Sequence, residues 1–192
     1  MITKANRNDK DRVVELLALS FKDNLSVAYL TGAGAGADRR TRRLMAYAFE
    51  LCLRFGAVWL TEKKDGCALV FYPHLKGFSV FAIWLDAKLL FGVIGLSRLS
   101  RVLRREKLIA LQHPDSAFCY LWFIGVNPWV QKRGIGAELL AEVVSESVAA
   151  GLPVYLETST LKNVPWYEKR GFTAFYQLDL GYPLFFLKKE AG

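Results

Sequence analysis

Apolar residues in the first third of the chain recur at two periods, one typical of strands and one of helices. The short segment 2–5 is β-prone and favours a first strand. Apolar residues then recur at helical spacing after Asn8 and Asp9, either of which can cap a helix. A second helix is predicted over 38–55, ended by Gly56. The residues predicted to face inward from these helices are Val13, Leu16, Leu17, Phe21, Leu44, Tyr47, Ala48, Leu51 and Phe55.

The segment between the two helices, 31–37, alternates glycine with small residues. Its glycines imitate a nucleotide-binding loop, but no apolar strand leads into it, so we interpret it as a linker. The second helix then begins with four arginines, at positions 39, 40, 42 and 43. Cations at a helix N-terminus oppose its dipole, and this pattern favours a solvated charged face over an anion site.

Shorter apolar runs in the middle of the chain predict the strands of a sheet. Segments 57–60 and 67–72 are joined by a turn that ends in Asp-Gly, which indicates a β-hairpin. The run 119–126 is rich in aromatic and β-branched residues and stops at Asn127-Pro128, so it predicts a central strand. Residues 74–112 look mostly helical and are predicted to form an insertion that covers the sheet or shapes a pocket.

The last third of the chain returns to a strand, helix, strand order. A helix is predicted to begin near Gly134 and to stop at Gly151-Leu152-Pro153, before a strand over 154–157. This order implies a parallel strand pair with a ligand at the strands' carboxyl ends. Segments 172–179 and 184–187 suggest a closing antiparallel hairpin. The predicted fold class is therefore α/β (α+β): one domain, 1–192, with a central mixed sheet of about seven strands flanked by helices.

The composition raises the question of whether the chain contains a membrane-spanning segment, because 53% of the residues are hydrophobic and the mean hydropathy is +0.18. The strongest candidate, 78–96, carries Asp86 and Lys88 near its middle, and each would cost about 2.5–3.5 kcal/mol at a bilayer centre. Burial against protein is expected instead, with no transmembrane segment. The first residues, 1–4, lack the apolar stretch of a secretory signal, so a cytoplasmic location is expected.

The cysteines, histidines and net charge limit the candidate chemistry. Cys52, Cys67 and Cys119 are odd in number and lie in apolar surroundings, which predicts buried free thiols. In the sequence, His74 and His113 flank loops and show no cluster with carboxylates or cysteines, so no metal is expected. The net charge of +8 suits several polyanionic partners. Nucleic acid is not expected, because the basic residues lack interleaved aromatics on a recognisable module.

The turn after the central strand carries the most informative motif, Gln131-Lys132-Arg133-Gly134-Ile135-Gly136-Ala137. Glycines at the start of a helix let an anion approach the first free N–H groups, where the helix dipole also favours negative charge. Glycine before a helix is also common in plain turns and close packing points. The motif is neither a Walker loop nor the dinucleotide fingerprint, since the Lys-Ser/Thr pair and the third glycine are missing.

Two ordered segments resemble the GCN5-related N-acetyltransferase (GNAT) superfamily. The first resembles its acetyl-CoA signature through Val126, Pro128, Gln131, Gly134, Gly136, Leu139 and Leu140. The second resembles the later strand and helix of the superfamily, and is similar to the puromycin N-acetyltransferase branch, through Leu156-Glu157-Thr158-Ser159, Asn163 and the run 166–172. The resemblance spans about residues 115–188, and the first half matches only in element order.

The resemblance implies a GNAT-like domain that uses acetyl-CoA (coenzyme A) as cofactor without a metal. Backbone groups of 123–126 would pair with the pantetheine arm like an added strand, and the N–H groups of 133–137 would hold the pyrophosphate. Gln131 would shape the turn, and Asn163 would bond to the pantetheine arm. The cofactor-binding residues so implied are Phe123, Ile124, Gly125, Val126, Gln131, Lys132, Arg133, Gly134, Ile135, Gly136, Ala137, Asn163 and Tyr167.

The implied activity is N-acetyltransfer to a primary amine, by direct attack through a tetrahedral intermediate. Tyr167 falls on the family's tyrosine, whose phenol can donate a proton to the departing thiolate, although a packed aromatic is its plain alternative. For the general base we favour Glu157, while Asp115 and His113 stay open. A structural strand carboxylate is an equal interpretation of Glu157.

The acceptor is expected to be a small-molecule amine, and the sequence leaves a homodimer open. By position in the fold, the acceptor site is expected to include Asp23, Asn24, Tyr29, Trp122 and Tyr182. The alternative function is a non-catalytic CoA-binding or membrane-surface adaptor that uses the basic, apolar insertion 74–112. Arg98, Arg101 and Arg105 share a helical face there and would contact the membrane.

Overall fold

The computed structural model describes residues 1–191 and contains one seven-stranded mixed sheet, as predicted. Its strand order is β1-β2-β3-β4-β5-β7-β6. The β4/β5 pair is parallel, and every other pair is antiparallel. The strands are β1 (Ile2–Lys4), β2 (Gly56–Thr61), β3 (Gly66–Phe71), β4 (Cys119–Val126), β5 (Val154–Thr158), β6 (Thr173–Asp179) and β7 (Pro183–Lys189).

Helices cover both faces of the sheet. They are α1 (Lys10–Ser20), α2 (Leu25–Thr31), α3 (Ala37–Phe55), α4 (Val80–Leu89), α5 (Leu96–Ala110), α6 (Ile135–Ala149) and α7 (Val164–Glu168). On one face, α1 and α3 bury residues such as Leu16 and Phe49 against Leu69 of β3. On the other face, α6 and α7 bury Leu140 and Tyr167 against the sheet. The faces of α1 and α3 that were predicted to point inward pack against the sheet, because an apolar stripe on a helix is removed from water there.

The predicted insertion forms two helices joined by a π turn. The turn Leu90–Ile94 follows α4 directly, and Gly95 separates it from α5. Within residues 1–191, no single helix is long and apolar enough to cross a membrane, although Val80–Ile94 and Leu96–Ala110, bent by 119°, reach that length and composition as a pair. Ala82 and Leu85 of α4 pack on α3, so the insertion is attached to the main core.

The structure differs from the sequence prediction between the first two helices. Residues 25–31 form α2, capped by the side chain of Asn24, which accepts a hydrogen bond from the Val27 amide at 3.0 Å. Only 32–36 remain as the linker. Arg40, predicted to be solvated, donates hydrogen bonds to carbonyls in and before this linker, including that of Ala33 at 3.0 Å. Arg40 of α3 therefore holds the end of α2 and the linker against α3.

The three cysteines are buried and free, as predicted. Burial raises the pKa of each thiol, and that of Cys119 to about 12. They are therefore packed as neutral apolar groups, without the thiolate character that nucleophilic chemistry needs.

Candidate functional site

The site begins where two neighbouring parallel strands separate. β4 pairs with β5 only at Cys119 with Val154 and at Tyr120 with Tyr155. From Leu121 to Val126, the edge of β4 that faces β5 has no strand partner within residues 1–191, and the Val126 carbonyl at its end accepts a hydrogen bond from Ser20 Oγ at 3.0 Å. A row of backbone N–H and C=O groups at an open edge can pair with any extended chain that lies beside it.

A β-bulge at Trp122 sets the direction of this open edge. Leu69 of β3 pairs with Phe123 and the next residue, Val70, pairs with Leu121, which leaves Trp122 as the extra residue on β4. Trp122 and Phe123 consequently lie on the same side of the sheet, with ring centroids 5.6 Å apart. Bulges increase local twist and often lie beside functional sites, and here the bulge coincides with the separation of β4 from β5.

The turn after β4 presents backbone amides beside that edge. Within residues 1–191, the amides of 132–136 donate no hydrogen bond to protein, whereas those of Ala137 and Glu138 both donate to the Gly134 carbonyl. Four of the five amides assigned to the pyrophosphate are therefore free, and that of Ala137 is engaged. The Gln131 side chain donates to the Val126 carbonyl at 3.2 Å, which ties the turn to the end of β4.

Two residues of this turn adopt left-handed backbone conformations. Lys132 has φ +65° and Gly134, the N-cap of α6, has φ +87°. A left-handed residue followed by a right-handed one turns successive amides toward the same side and forms an anion-binding concavity. Gly136 adds no side chain to this turn, and a Cβ there would lie 3.7 Å from both Trp166 and Val126, which line the same cleft.

A single cleft of about 1750 Å³ connects the open edge, the turn and the insertion. Most of the residues proposed from the sequence line it: Asp23, Asn24, Trp122, Phe123, Ile124, Gly125, Val126, Gln131, Lys132, Gly134, Ile135, Gly136, Ala137, Glu157, Asn163 and Tyr167. Arg133 lies outside the cleft, in a shallow depression with Glu62 and Glu138. Tyr29 and Tyr182 do not line the cleft and pack against each other, with ring centroids 5.5 Å apart.

Tyr167 lies on α7 with its ring buried between Trp166 and Phe172. Burial alone raises the pKa of its phenol well above the usual value. The phenol therefore keeps its proton at neutral and mildly alkaline pH. Its ring is held by aromatic packing, yet the residue still lines the cleft.

Glu157 joins two further side chains at the wall of the cleft. One carboxylate oxygen lies 2.7 Å from His113 Nε2, and the other accepts a hydrogen bond from the Tyr120 hydroxyl at 2.5 Å. The Glu157 side chain is only 7% exposed. Burial and the Glu157 charge raise the pKa of the Tyr120 phenol far above its usual value, so Tyr120 acts as a donor here. Asp115, the other candidate base, is exposed and lies outside the cleft.

The charges that line the cleft differ between its two ends. Lys132, Lys162 and Arg170 line the part that contains the free amides. The part under the insertion has Asp86, Glu106 and Glu157, of which Asp86 is paired with Lys76 and Glu106 with Arg105. Lys162 and Arg170 were not proposed from the sequence. The run 161–170 carried a signal for them, since it places two cations just before and just after the segment with Asn163 and Tyr167.

The arginines proposed for a membrane surface are held by the protein itself. Arg105 is buried and donates to the Tyr182 hydroxyl at 3.0 Å and to Ser26 Oγ at 2.6 Å. Arg98 donates to carbonyls of Thr31, Val93 and Ile94. Only Arg101 is exposed, over the ring of Tyr29. The three arginines share a helical face, as predicted, but that face packs on α2 and the proposed membrane contact was wrong, because helical spacing cannot show which arginines have internal acceptors.

These features fit an extended thioester with a diphosphate. The open β4 edge can pair with amide groups, the free amides of 132–136 can bind phosphate oxygens, and the cations beside them match its charge. Ser159 Oγ also lines the cleft and is buried without a hydrogen-bond partner among the described residues.

Comparison with known proteins agrees with this geometry. The model of the acetyltransferase (GNAT) family matches residues 70–172, which is more than half of the chain. An uncharacterized N-acetyltransferase of Schizosaccharomyces pombe is 35% identical over 71 residues, which span 37% of this chain and 29% of that protein.

Solved structures resemble the whole fold at low sequence identity. A histone acetyltransferase HPA2 and related acetyltransferase from Corynebacterium glutamicum superposes with a TM-score of 0.71 and 16% identity, over 99% of this chain and 95% of that one. Arylalkylamine N-acetyltransferase 2 from Aedes aegypti gives 0.66 and 12%, over 100% and 99%. With the family match over residues 70–172, these observations show that the chain belongs to the acetyltransferase (GNAT) family.

Proposed function

We propose that this protein is an acetyl-CoA-dependent N-acetyltransferase that acts on a primary amine. The observation that carries the proposal is the common position of two free backbone surfaces in one cleft. One is the unpaired edge of β4 from Leu121 to Val126, and the other is the row of free amides over 132–136. Together they form an extended site with an anion-binding end.

The chain would hold acetyl-CoA mainly through its backbone. The β4 edge over 123–126 would pair with the pantetheine arm, and the amides of 132–136 would bind the diphosphate. Lys132, Lys162 and Arg170 would add charge at the same end, and Asn163 would contact the arm. Acetyl-CoA supplies the activated acetyl group, and the separation of β4 from β5 leaves room for the thioester beside the bulge.

The side chains of Glu157, Tyr120 and His113 would bind the amine and accept its proton. Glu157 would attract the ammonium form and accept its proton, because its carboxylate is nearly buried and already positioned by Tyr120 and His113. A carboxylate in a poorly hydrated wall interacts with a cation more strongly than one in water. The cluster would therefore both orient the acceptor and produce the neutral amine that can attack.

Tyr167→Phe should lower turnover by about 100-fold, the lower end of the range for positioned proton transfer, because a thiolate is a comparatively good leaving group. Affinity for acetyl-CoA should change less than about twofold, since the ring packing is preserved. Because the pKa of this phenol is raised, its proton should stay available up to at least pH 10. Steady-state kinetics and calorimetry measure both effects. Tyr176→Phe, on the exposed strand β6, is the control, and equal turnover in both variants would assign Tyr167 to packing alone.

The proposal is tested by titrating the protein with acetyl-CoA and with desulfo-CoA, and by following free thiol release with a panel of amines. Saturable binding of both ligands, with amine-dependent thiol release, is the expected result. If neither ligand binds up to millimolar concentrations, the proposal is wrong. Membership of the puromycin-type branch, a cytoplasmic location and a homodimer stay predictions.

A second candidate function, a membrane-surface adaptor, is favoured by one observation. The insertion exposes several large apolar side chains to solvent, among them Phe78, Val80, Phe91 and Leu96. Flotation with anionic vesicles tests it. Vesicle binding that is lost on Phe78→Asp and Phe91→Asp, in a protein without amine-dependent thiol release, would favour the adaptor over the enzyme.

A further inference from the structure

The acceptor end of the cleft runs beneath the insertion and is walled by apolar side chains. On the main domain the wall includes Phe71 of β3. On the insertion it includes Ile83, Leu90, Ile94, Leu99 and Leu103, contributed by α4, the π turn and α5. Contact with such a wall is favourable for hydrocarbon and unfavourable for hydroxyl or charged groups.

One carboxylate at this end has no lysine or arginine partner. Glu157, Glu106 and Asp86 line the cleft there, but Glu106 is ion-paired with Arg105 and Asp86 lies 3.4 Å from Lys76. Arg105 also donates to Tyr182 and Ser26, so both cations of the insertion that line the cleft are engaged. Among the described residues of the insertion, a phosphate or carboxylate on the acceptor would therefore meet no unpaired cation in the cleft. An ammonium group would instead meet the nearly buried carboxylate of Glu157.

The apolar wall continues to the protein surface. Ile83 on α4 and Leu103 on α5 both line the cleft and are more than half exposed. An acceptor longer than the buried part of the cleft would therefore lie along apolar side chains until it reaches solvent. The charged side chains on this part of the rim are paired, Lys76 with Asp86 and Glu106 with Arg105.

We propose that the acceptor is a primary amine attached to an extended apolar body, an alkyl or arylalkyl amine. Its ammonium group lies at Glu157 and its apolar body lies between α4 and α5. This inference rests on the proposed N-acetyltransferase function and adds the substrate class. The insertion is then the part of the chain that selects the acceptor.

The experiment compares thiol release from acetyl-CoA with linear alkylamines from butylamine to decylamine, and with the polyamine spermidine. Each methylene that enters an apolar site contributes up to about 0.8 kcal/mol, or about fourfold in binding, so kcat/KM should rise about two- to fourfold per methylene until the apolar body reaches solvent. Spermidine should be the poorest acceptor, because its second and third ammonium groups would have to enter the apolar wall.

A pair of variants ties this length dependence to the insertion. Leu103→Asp should lower kcat/KM for decylamine at least tenfold more than for butylamine. Leu111→Asp is the matched control, because Leu111 follows α5 directly, is exposed to a similar extent (67% against 59% for Leu103) and does not line the cleft. It should leave the length dependence unchanged.

Three results would overturn the inference, and the first two of them separate it from the proposed function. Acetyl-CoA binding with turnover that does not depend on chain length, or that is fastest with spermidine, would reject the apolar acceptor and keep the acetyltransferase. Equal effects of Leu103→Asp on decylamine and butylamine would reject the insertion as the selecting element. Absence of acetyl-CoA binding in calorimetry would reject the proposed function, and this inference with it.

Discussion

Gly136→Asp should weaken acetyl-CoA binding by about 100-fold or more. The new side chain would extend from the turn that carries the free amides, beside Trp166 and Val126 of the cleft, and place a negative charge near the diphosphate. Two like charges roughly 5 Å apart repel by about 3 kcal/mol at an effective dielectric constant of about 20, which corresponds to more than 100-fold in affinity. Isothermal titration calorimetry measures the change directly.

This loss should not come from unfolding. Gly136 lies in the first turn of α6, where an acidic side chain is favourable to the helix dipole and any residue other than glycine restricts the unfolded chain. Ser145→Asp adds the same charge to an exposed position of the same helix and should keep wild-type affinity. If Gly136→Asp binds acetyl-CoA as tightly as Ser145→Asp, the diphosphate does not lie at this turn.

Glu157→Gln should lower kcat/KM for the amine by about 1000-fold, within the range for loss of a positioned base. The amide has the shape of the carboxylate, and its oxygen can still accept the hydrogen bond from Tyr120. What is lost is the charge that attracts the ammonium group and the site that accepts its proton. Steady-state kinetics with saturating acetyl-CoA measures the effect.

Acetyl-CoA affinity separates this role from a structural one. The variant should bind acetyl-CoA within about twofold of wild type, because Glu157 lies on the amine side of the bulge. Glu142→Gln removes one carboxylate from α6, away from the cleft, and should be fully active. Wild-type turnover by Glu157→Gln would make Glu157 a structural strand carboxylate and would leave His113 as the remaining candidate for the base.

Local signals in the sequence were enough to predict the strands and the turn after β4. The central strand was predicted over 119–126, the bounds that β4 has in the structure. The helix predicted near Gly134 begins at Ile135, because a left-handed glycine followed by an apolar stripe specifies a helix start by short-range sterics. The residues proposed to bind the diphosphate lie in the same turn, since the direction of a backbone amide depends on local conformation and little on distant contacts.

Features that depend on long-range contacts could not be predicted. The bulge at Trp122 is visible only in the register of β4 against β3, and α2 is too short to show a periodic pattern. His113 and Glu157 are far apart in sequence, yet they meet because parallel pairing places Tyr120 beside β5. From the sequence, Arg105 was predicted to be a surface cation, but the fold places Tyr182 and Ser26 within hydrogen-bonding distance of it.

The central claim is that acetyl-CoA lies along the open edge of β4 with its diphosphate on the amides of 132–136. An NMR titration of the ¹⁵N-labelled protein with acetyl-CoA tests this most directly, because each backbone amide reports separately. We expect the largest saturable shifts over 132–136, with further shifts over 123–126, while the amides of β6 stay unchanged. Shifts confined to other parts of the chain, or no shifts at millimolar acetyl-CoA, would contradict the account.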